Sequence, residues 1–126
     1  MSEDALLPSE LEARRELERE LDELDNLWSD YSNRVKRVME GWEKIKVKLL
    51  ERISKVSSLL RAVNEDLEKI DVEIMLGIAS EEEKKSDKDK LIEIKNKLES
   101  RLKALQMFLE DIESRIVEHG ERIKTS

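Results

Sequence analysis

The sequence contains no cysteine, one proline and only three glycines among its 126 residues. Without cysteine there can be no disulfide framework, no thiolate metal site and no cysteine nucleophile. So few turn-forming residues cannot supply the many turns of a β-sandwich, a barrel or an alternating βα fold. These shortages leave an all-α fold that is built from very few, very long helices.

Long apolar runs and an excess of basic residues are also missing. The longest apolar stretch, 74–79, is too short to span a bilayer. The N-terminus carries acids where a secretory signal would carry bases, so we expect a cytoplasmic protein. The 31 acids outnumber the 24 lysines and arginines and give a net charge of −7. This balance argues against a dedicated nucleic-acid binder, whose affinity depends on clustered cations.

The chain is rich in charged residues, and its apolar residues are regularly spaced among them. Asp, Glu, Lys and Arg make up 44% of the residues, a composition typical of coiled coils. Alternating steps of four and three residues connect Leu17, Leu21, Leu24, Trp28, Tyr31, Val35, Val38, Trp42, Ile45 and Leu49. Such spacing places one apolar stripe against a partner helix over four heptads. A second step of four, from Leu49 to Ile53, is a stutter that unwinds a supercoil without ending the helix.

The first helix is predicted over residues 9–77, after a frayed tail at residues 1–8. Ser9 can cap its first amides, with Glu12 completing a capping box. Gly77 can end it in a left-handed conformation, with Ile78 as the hydrophobic contact that often follows. The weak helix formers at 29–33 and the glycine at position 41 could break this helix, but the stripe crosses both without a gap, so we expect one continuous helix.

A second helix is predicted over 88–119, between a turn at 78–87 and a frayed end at 120–126. Either Ser80 with Glu83 or Ser86 with Asp89 could cap it. Its apolar stripe consists of Leu91, Ile94, Leu98, Leu102, Leu105, Leu109, Ile112 and Ile116, followed by a weaker Ile123. The stripe fades at His119, a residue that suits a helix C-terminus.

Together these elements predict a single antiparallel helical hairpin, a coiled coil in which one helix is nearly twice as long as the other. A fold-back near residue 83 places Leu109 beside about residue 57, so the second helix covers the first only from about residue 43. The stripe from Leu17 to Trp42 then has no partner within the chain. An exposed apolar stripe of this size marks an interaction surface, and we assign all ten stripe residues from Leu17 to Leu49 to it.

A second copy of the chain could cover this stripe. An antiparallel pair centred near Lys36 and Arg37 sets Leu24 against Leu49 and Trp28 against Ile45, with apolar residues in nearly every layer. It also sets an acidic segment against a basic one. The acids are Glu10, Glu12, Glu16, Glu18, Glu20, Asp22, Glu23 and Asp25, and the bases are Lys44, Lys46, Lys48, Arg52, Lys55 and Arg61. We therefore expect an antiparallel homodimer, and another protein as a further partner.

Residues that carry chemistry are scarce. The only histidine, His119, follows Ile116 by three residues, so the Glu-x-x-His pair of helical-bundle metal sites is absent. A single histidine at a helix end is a poor base for a serine nucleophile. Glu81, Glu82 and Glu83 suit a solvated first helical turn. We predict no enzyme, no cofactor and no metal site.

One basic stretch allows a different function. Trp42 lies within the cations Arg34, Lys36, Arg37, Lys44, Lys46, Lys48, Arg52 and Lys55, and such a surface could bind phosphates or lipid headgroups. The sequence thus predicts a non-enzymatic, self-associating scaffold, spacer or adaptor. The alternative is a membrane- or polymer-associated assembly protein that uses residues 34–55.

Overall fold

The structure is a computed structural model that describes residues 5–125, which form two α-helices packed side by side. Helix α1 spans Pro8–Met75 (68 residues) and helix α2 spans Glu81–Lys124 (44 residues). Residues 76–80 join them, and the contacts between the helices run antiparallel. The predicted all-α helical hairpin is confirmed, and α1 passes through 29–33 and Gly41 without a break.

The start of α1 differs from the expected Ser9 cap. Pro8 is the first helical residue, and Glu10 accepts a hydrogen bond from the Leu7 amide at 2.9 Å. Proline is favoured at the first helical position because it has no amide hydrogen to satisfy. Ser9 therefore lies inside the first turn. Of the predicted tail, residues 1–4 lie outside the described residues, and residues 5–7 precede the helix.

The end of α1 is fixed by a glycine motif. Gly77 has a φ of +73°, and its amide donates to the Ile74 carbonyl. The Ile78 amide donates to the Glu73 carbonyl at 2.9 Å. These two bonds define a Schellman motif with glycine in the left-handed position. Gly77 thus has its predicted role, one position after the helix cap, whereas the Ile78 side chain is exposed.

Helix α2 begins at Glu81, earlier than the predicted residue 88. The Ser80 hydroxyl accepts a hydrogen bond from the Glu83 amide at 3.1 Å, so the first of the two possible caps is used. The acidic first turn suits the positive end of the helix dipole. Lys84 and Lys88 then pair with Glu73 and with an aspartate of α1. The turn is therefore only five residues long, rather than the predicted ten.

The far end of α2 also extends beyond its predicted limit at residue 119. The helix runs through Gly120 to Lys124. Gly120 is buried, and a Cβ there would lie 3.8 Å from the Met39 side chain. Packing on α1 thus offsets the weak helix preference of glycine. With 44 residues against 68, α2 is longer than predicted, so the expected ratio of nearly two to one is wrong.

The core is a narrow seam between the two helices. Trp42, Leu49 and Val56 of α1 form a buried cluster with Leu105 of α2. Partly buried side chains complete it: Ile53, Leu98, Leu102, Leu109, Ile112 and Ile116. Two helices cannot enclose a seam on all sides, so most other large apolar residues stay at least partly exposed.

We expect Gly77→Ala to lower the free energy of unfolding by about 1–2 kcal/mol, because an L side chain disfavours the left-handed conformation. Urea unfolding at fixed protein concentration measures the change. Gly77→Asn is the matched control and should cost less, since asparagine tolerates this conformation. A Gly77→Ala loss below about 0.3 kcal/mol would show that Gly77 does not hold the turn.

Candidate functional site

The stripe from Leu17 to Leu49 divides into a covered and an uncovered part. Val35, Trp42 and Leu49 are buried against α2, and Tyr31 is half-buried. The other six members are exposed: Leu17, Leu21, Leu24, Trp28, Val38 and Ile45. Leu17 retains 65% of its accessible surface and Ile45 retains 48%, so the uncovered part extends well into the hairpin.

The predicted start of coverage near residue 43 is wrong. The Tyr31 hydroxyl and His119 Nδ1 lie 2.7 Å apart in a hydrogen bond, so α2 covers α1 from about residue 31. The short turn and the longer α2 account for the difference. The segment of α1 that extends past α2 is therefore residues 8–30, which we call the overhang.

A change of helix side at the stutter explains why Val38 and Ile45 are exposed. One column of apolar residues repeats every seven positions along α1: Val35, Trp42, Leu49, Val56, Val63 and Ile70. From Leu49 onward, each residue of this column is followed four positions later by another apolar residue: Ile53, Leu60, Leu67 and Ile74. Helix α2 packs on that side of α1. Before Leu49, the apolar residues Val38 and Ile45 follow Val35 and Trp42 by three residues, and the same spacing continues upstream from Leu21 to Leu24 and from Trp28 to Tyr31. Val38 and Ile45 lie on the opposite flank of the shared column.

The contacts of α2 fix which flank it occupies. Lys46, four residues after Trp42, bonds to Glu113, and Met39, four residues after Val35, lies against Gly120. Val38 and Ile45, which follow the column by three residues, therefore lie on a second side of the hairpin. We call this side the open face.

A groove runs along the open face where the two helices meet near the overhang. It has a volume of about 320 Å³. Its apolar lining consists of Val35 and Val38 from α1 and Ile112 and Ile116 from α2, with Arg34, Arg115, Tyr31 and His119 completing it. An apolar floor between arginines suits an amphipathic, acidic segment more than a basic one.

The three clustered aromatic residues have different environments. Trp42 is 4% exposed, and its ring stacks on Phe108 with centroids 6.2 Å apart. Tyr31 lies at the rim of the groove, and its ring centroid is 5.6 Å from that of Trp28, which remains exposed. Trp42 is thus a core residue, whereas Trp28 is available as an interface anchor.

Two residues of α2 that contact Trp42 were not predicted from the sequence. Phe108 stacks on Trp42, and Glu113 accepts hydrogen bonds from the Trp42 indole and from Lys46. Phe108 follows Leu105 by three residues and sits off the predicted stripe. Phe108 lies two heptads after Ile94, and this spacing is the sequence signal that could have identified Phe108.

The pKa of the Glu113 carboxylate is shifted by its hydrogen bonds. The hydrogen bond from Trp42, followed by that from Lys46, lowers its pKa below the ordinary value. Reciprocally, the bond to Glu113 raises the pKa of Lys46. The Glu113 carboxylate is partly open to solvent, so its hydrogen bonds orient Trp42 and contribute little to the stability of the fold.

Across residues 5–125 there is no group of three or more histidine, cysteine or carboxylate side chains placed to hold a metal ion. Neither described helix has a segment that is long and apolar enough to cross a membrane. The sequence matches no family model, no curated protein and no solved structure. The uncovered apolar surface is therefore the feature from which we infer function.

We expect Glu113 to make stability depend on pH below about pH 4.3, the ordinary pKa of glutamate. Because its pKa is lower in the folded state, its contribution is present above the unfolded pKa and is lost as the pH falls through the folded pKa. Urea unfolding between pH 6 and pH 3 should show Glu113→Gln losing less stability than the wild type. Parallel curves for both proteins would exclude this role for Glu113.

Proposed function

We propose that this protein is a non-enzymatic, self-associating coiled-coil scaffold, spacer or adaptor that uses the face of α1 from residue 17 to residue 49 as its interaction surface. The observation that carries the proposal is the overhang. Its stripe members Leu17, Leu21 and Leu24 are each more than half exposed, and α2 ends before reaching them. Removing such a stripe from water is a favourable source of association free energy.

The mechanism is geometric. A 68-residue helix is about 100 Å long, and pairing with a second helix stiffens it along its length. A rod of this kind holds surfaces at its ends a fixed distance apart. Heptad spacing on the overhang allows its side chains to pack as knobs into the holes of a partner helix, which is the coiled-coil arrangement.

The favoured partner is a second copy in the antiparallel direction. The overhang carries eight acids between residues 10 and 25, whereas the middle of α1 is rich in lysine and arginine. An antiparallel pair joins these opposite charges, and a parallel pair would set the acidic segments against each other. An adaptor role adds a different protein as a further partner.

The alternative is a membrane- or polymer-associated protein that uses the basic stretch 34–55. Its cations spread around α1, and one of them, Lys46, is paired with Glu113. Several of the others, including Lys48 and Arg52, border the open face, where they suit an acidic helix. Salt-sensitive pelleting with anionic vesicles is the result that would favour the alternative.

Analytical ultracentrifugation tests the proposal through the double variant Leu17→Asp/Leu24→Asp, whose positions face apolar residues of the second copy. We expect the wild type to sediment at twice the 14.8 kDa of one chain, and the double variant at the mass of one chain. Two buried carboxylates should weaken a dimer by more than about a hundredfold, because unpaired charges at an interface cost several kcal/mol.

Val47→Asp is the matched control, since Val47 is also exposed but points away from both α2 and the open face. It should leave the mass of the wild type unchanged. A wild-type protein that sediments as a monomer at 100 μM would contradict self-association. A larger, concentration-dependent polymer would favour open-ended assembly.

A further inference from the structure

We infer that the overhang of a second copy docks along the open face, between α1 and α2, and completes a three-helix bundle at each end of an antiparallel dimer. This inference rests on the proposed self-association and adds the receiving surface. In particular, it assigns α2 a direct part in binding the second copy.

The receiving surface has two parallel columns. On α1, the open flank repeats every seven residues as Val38, Ile45, Arg52 and Leu59, all exposed. On α2, the column that includes Phe108 repeats as Ile94, Arg101, Phe108 and Arg115, also exposed. The stack of Phe108 on Trp42, and the shared groove of Val38 and Arg115, place both columns on one side of the hairpin.

The two columns run along the same length of the hairpin. Contacts such as Trp42 with Glu113 and Asp71 with Lys88 set the alignment of the helices. By these contacts Ile45 lies about one helical turn from the level of Phe108, and Arg52 and Leu59 lie about one turn from Arg101 and Ile94. The surface thus combines apolar and basic residues, which suits a helix with a leucine stripe flanked by acids.

The overhang fits this surface in length. Residues 8–30 extend over about 33 Å, and the open flank from Val38 to Leu59 extends over about 32 Å. With the twofold axis near residues 36 and 37, each overhang lies over the open face of the other copy. Both exposed surfaces are covered at once, and the dimer is closed.

The charges on both edges agree with this placement. When the Leu17–Trp28 stripe packs on the open face, Glu18 and Asp22 lie toward α2, near Arg101 of the other copy. Glu20 and Glu23 lie toward α1, near Lys48 and Lys55. The overhang thus presents acids to the basic residues on both sides.

Disulfide trapping tests the docking site, and the natural absence of cysteine makes the experiment clean. The double variant Asp22→Cys/Ala104→Cys places thiols on the overhang and on the α2 edge of the open face. Within one chain these positions lie about 45 Å apart along the rod, so they can join only across two copies. In a glutathione redox buffer we expect a covalent dimer in most of the protein on a non-reducing gel.

The matched control is Asp22→Cys/Gln106→Cys, because Gln106 lies at nearly the same height but on the opposite side of α2. It should give at least about tenfold less covalent dimer, as should each single-cysteine variant. A protein that sediments as a dimer but shows no preference for position 104 would overturn the docking site and leave self-association standing. A monomeric protein would overturn both proposals.

Discussion

The structure depends on the apolar column that begins at Val35 and repeats every seven residues to Ile70, and that is buried at every position except Val63. Apolar residues lie on both flanks of this column, and α2 covers only one of the two flanks. Trp42 shows the consequence, because its ring is 4% exposed while Ile45, three residues later, keeps 48% of its surface. The exposed side is therefore a result of how the hairpin packs. The overhang adds a segment of α1 that α2 is too short to reach.

The step of four at the stutter gives this arrangement a sequence origin. Beyond Leu49, the apolar residues Ile53, Leu60, Leu67 and Ile74 lie on the flank that α2 occupies, and Leu59 lies on the open flank. Before Leu49, Val38 and Ile45 lie on the other flank, which α2 leaves exposed. A hairpin that closed on itself throughout would carry the same spacing from end to end. The charges follow the same division, with acids on the overhang and cations beside the open face.

Sequence periodicity predicted α1 and the hairpin because its apolar stripe is regular over nearly the whole helix. It did not predict the start of α2, because residues 80–90 carry no apolar side chain and therefore no period. Placing the turn about five residues too late moved the facing residues by about ten, which hid the Tyr31–His119 contact. Phe108 was missed for the same reason, since its place beside Trp42 depends on that alignment.

The distance between two spin labels tests the central claim that a second copy covers the open face in the antiparallel direction. A label at Arg37→Cys should report its counterpart within about 20 Å, because this position lies next to the twofold axis. A label at Leu24→Cys should report about 38 Å, from the rise of 1.5 Å per residue. A short distance at both positions would indicate a parallel pair, and no measurable coupling at either would indicate a monomer. Both results would contradict the account.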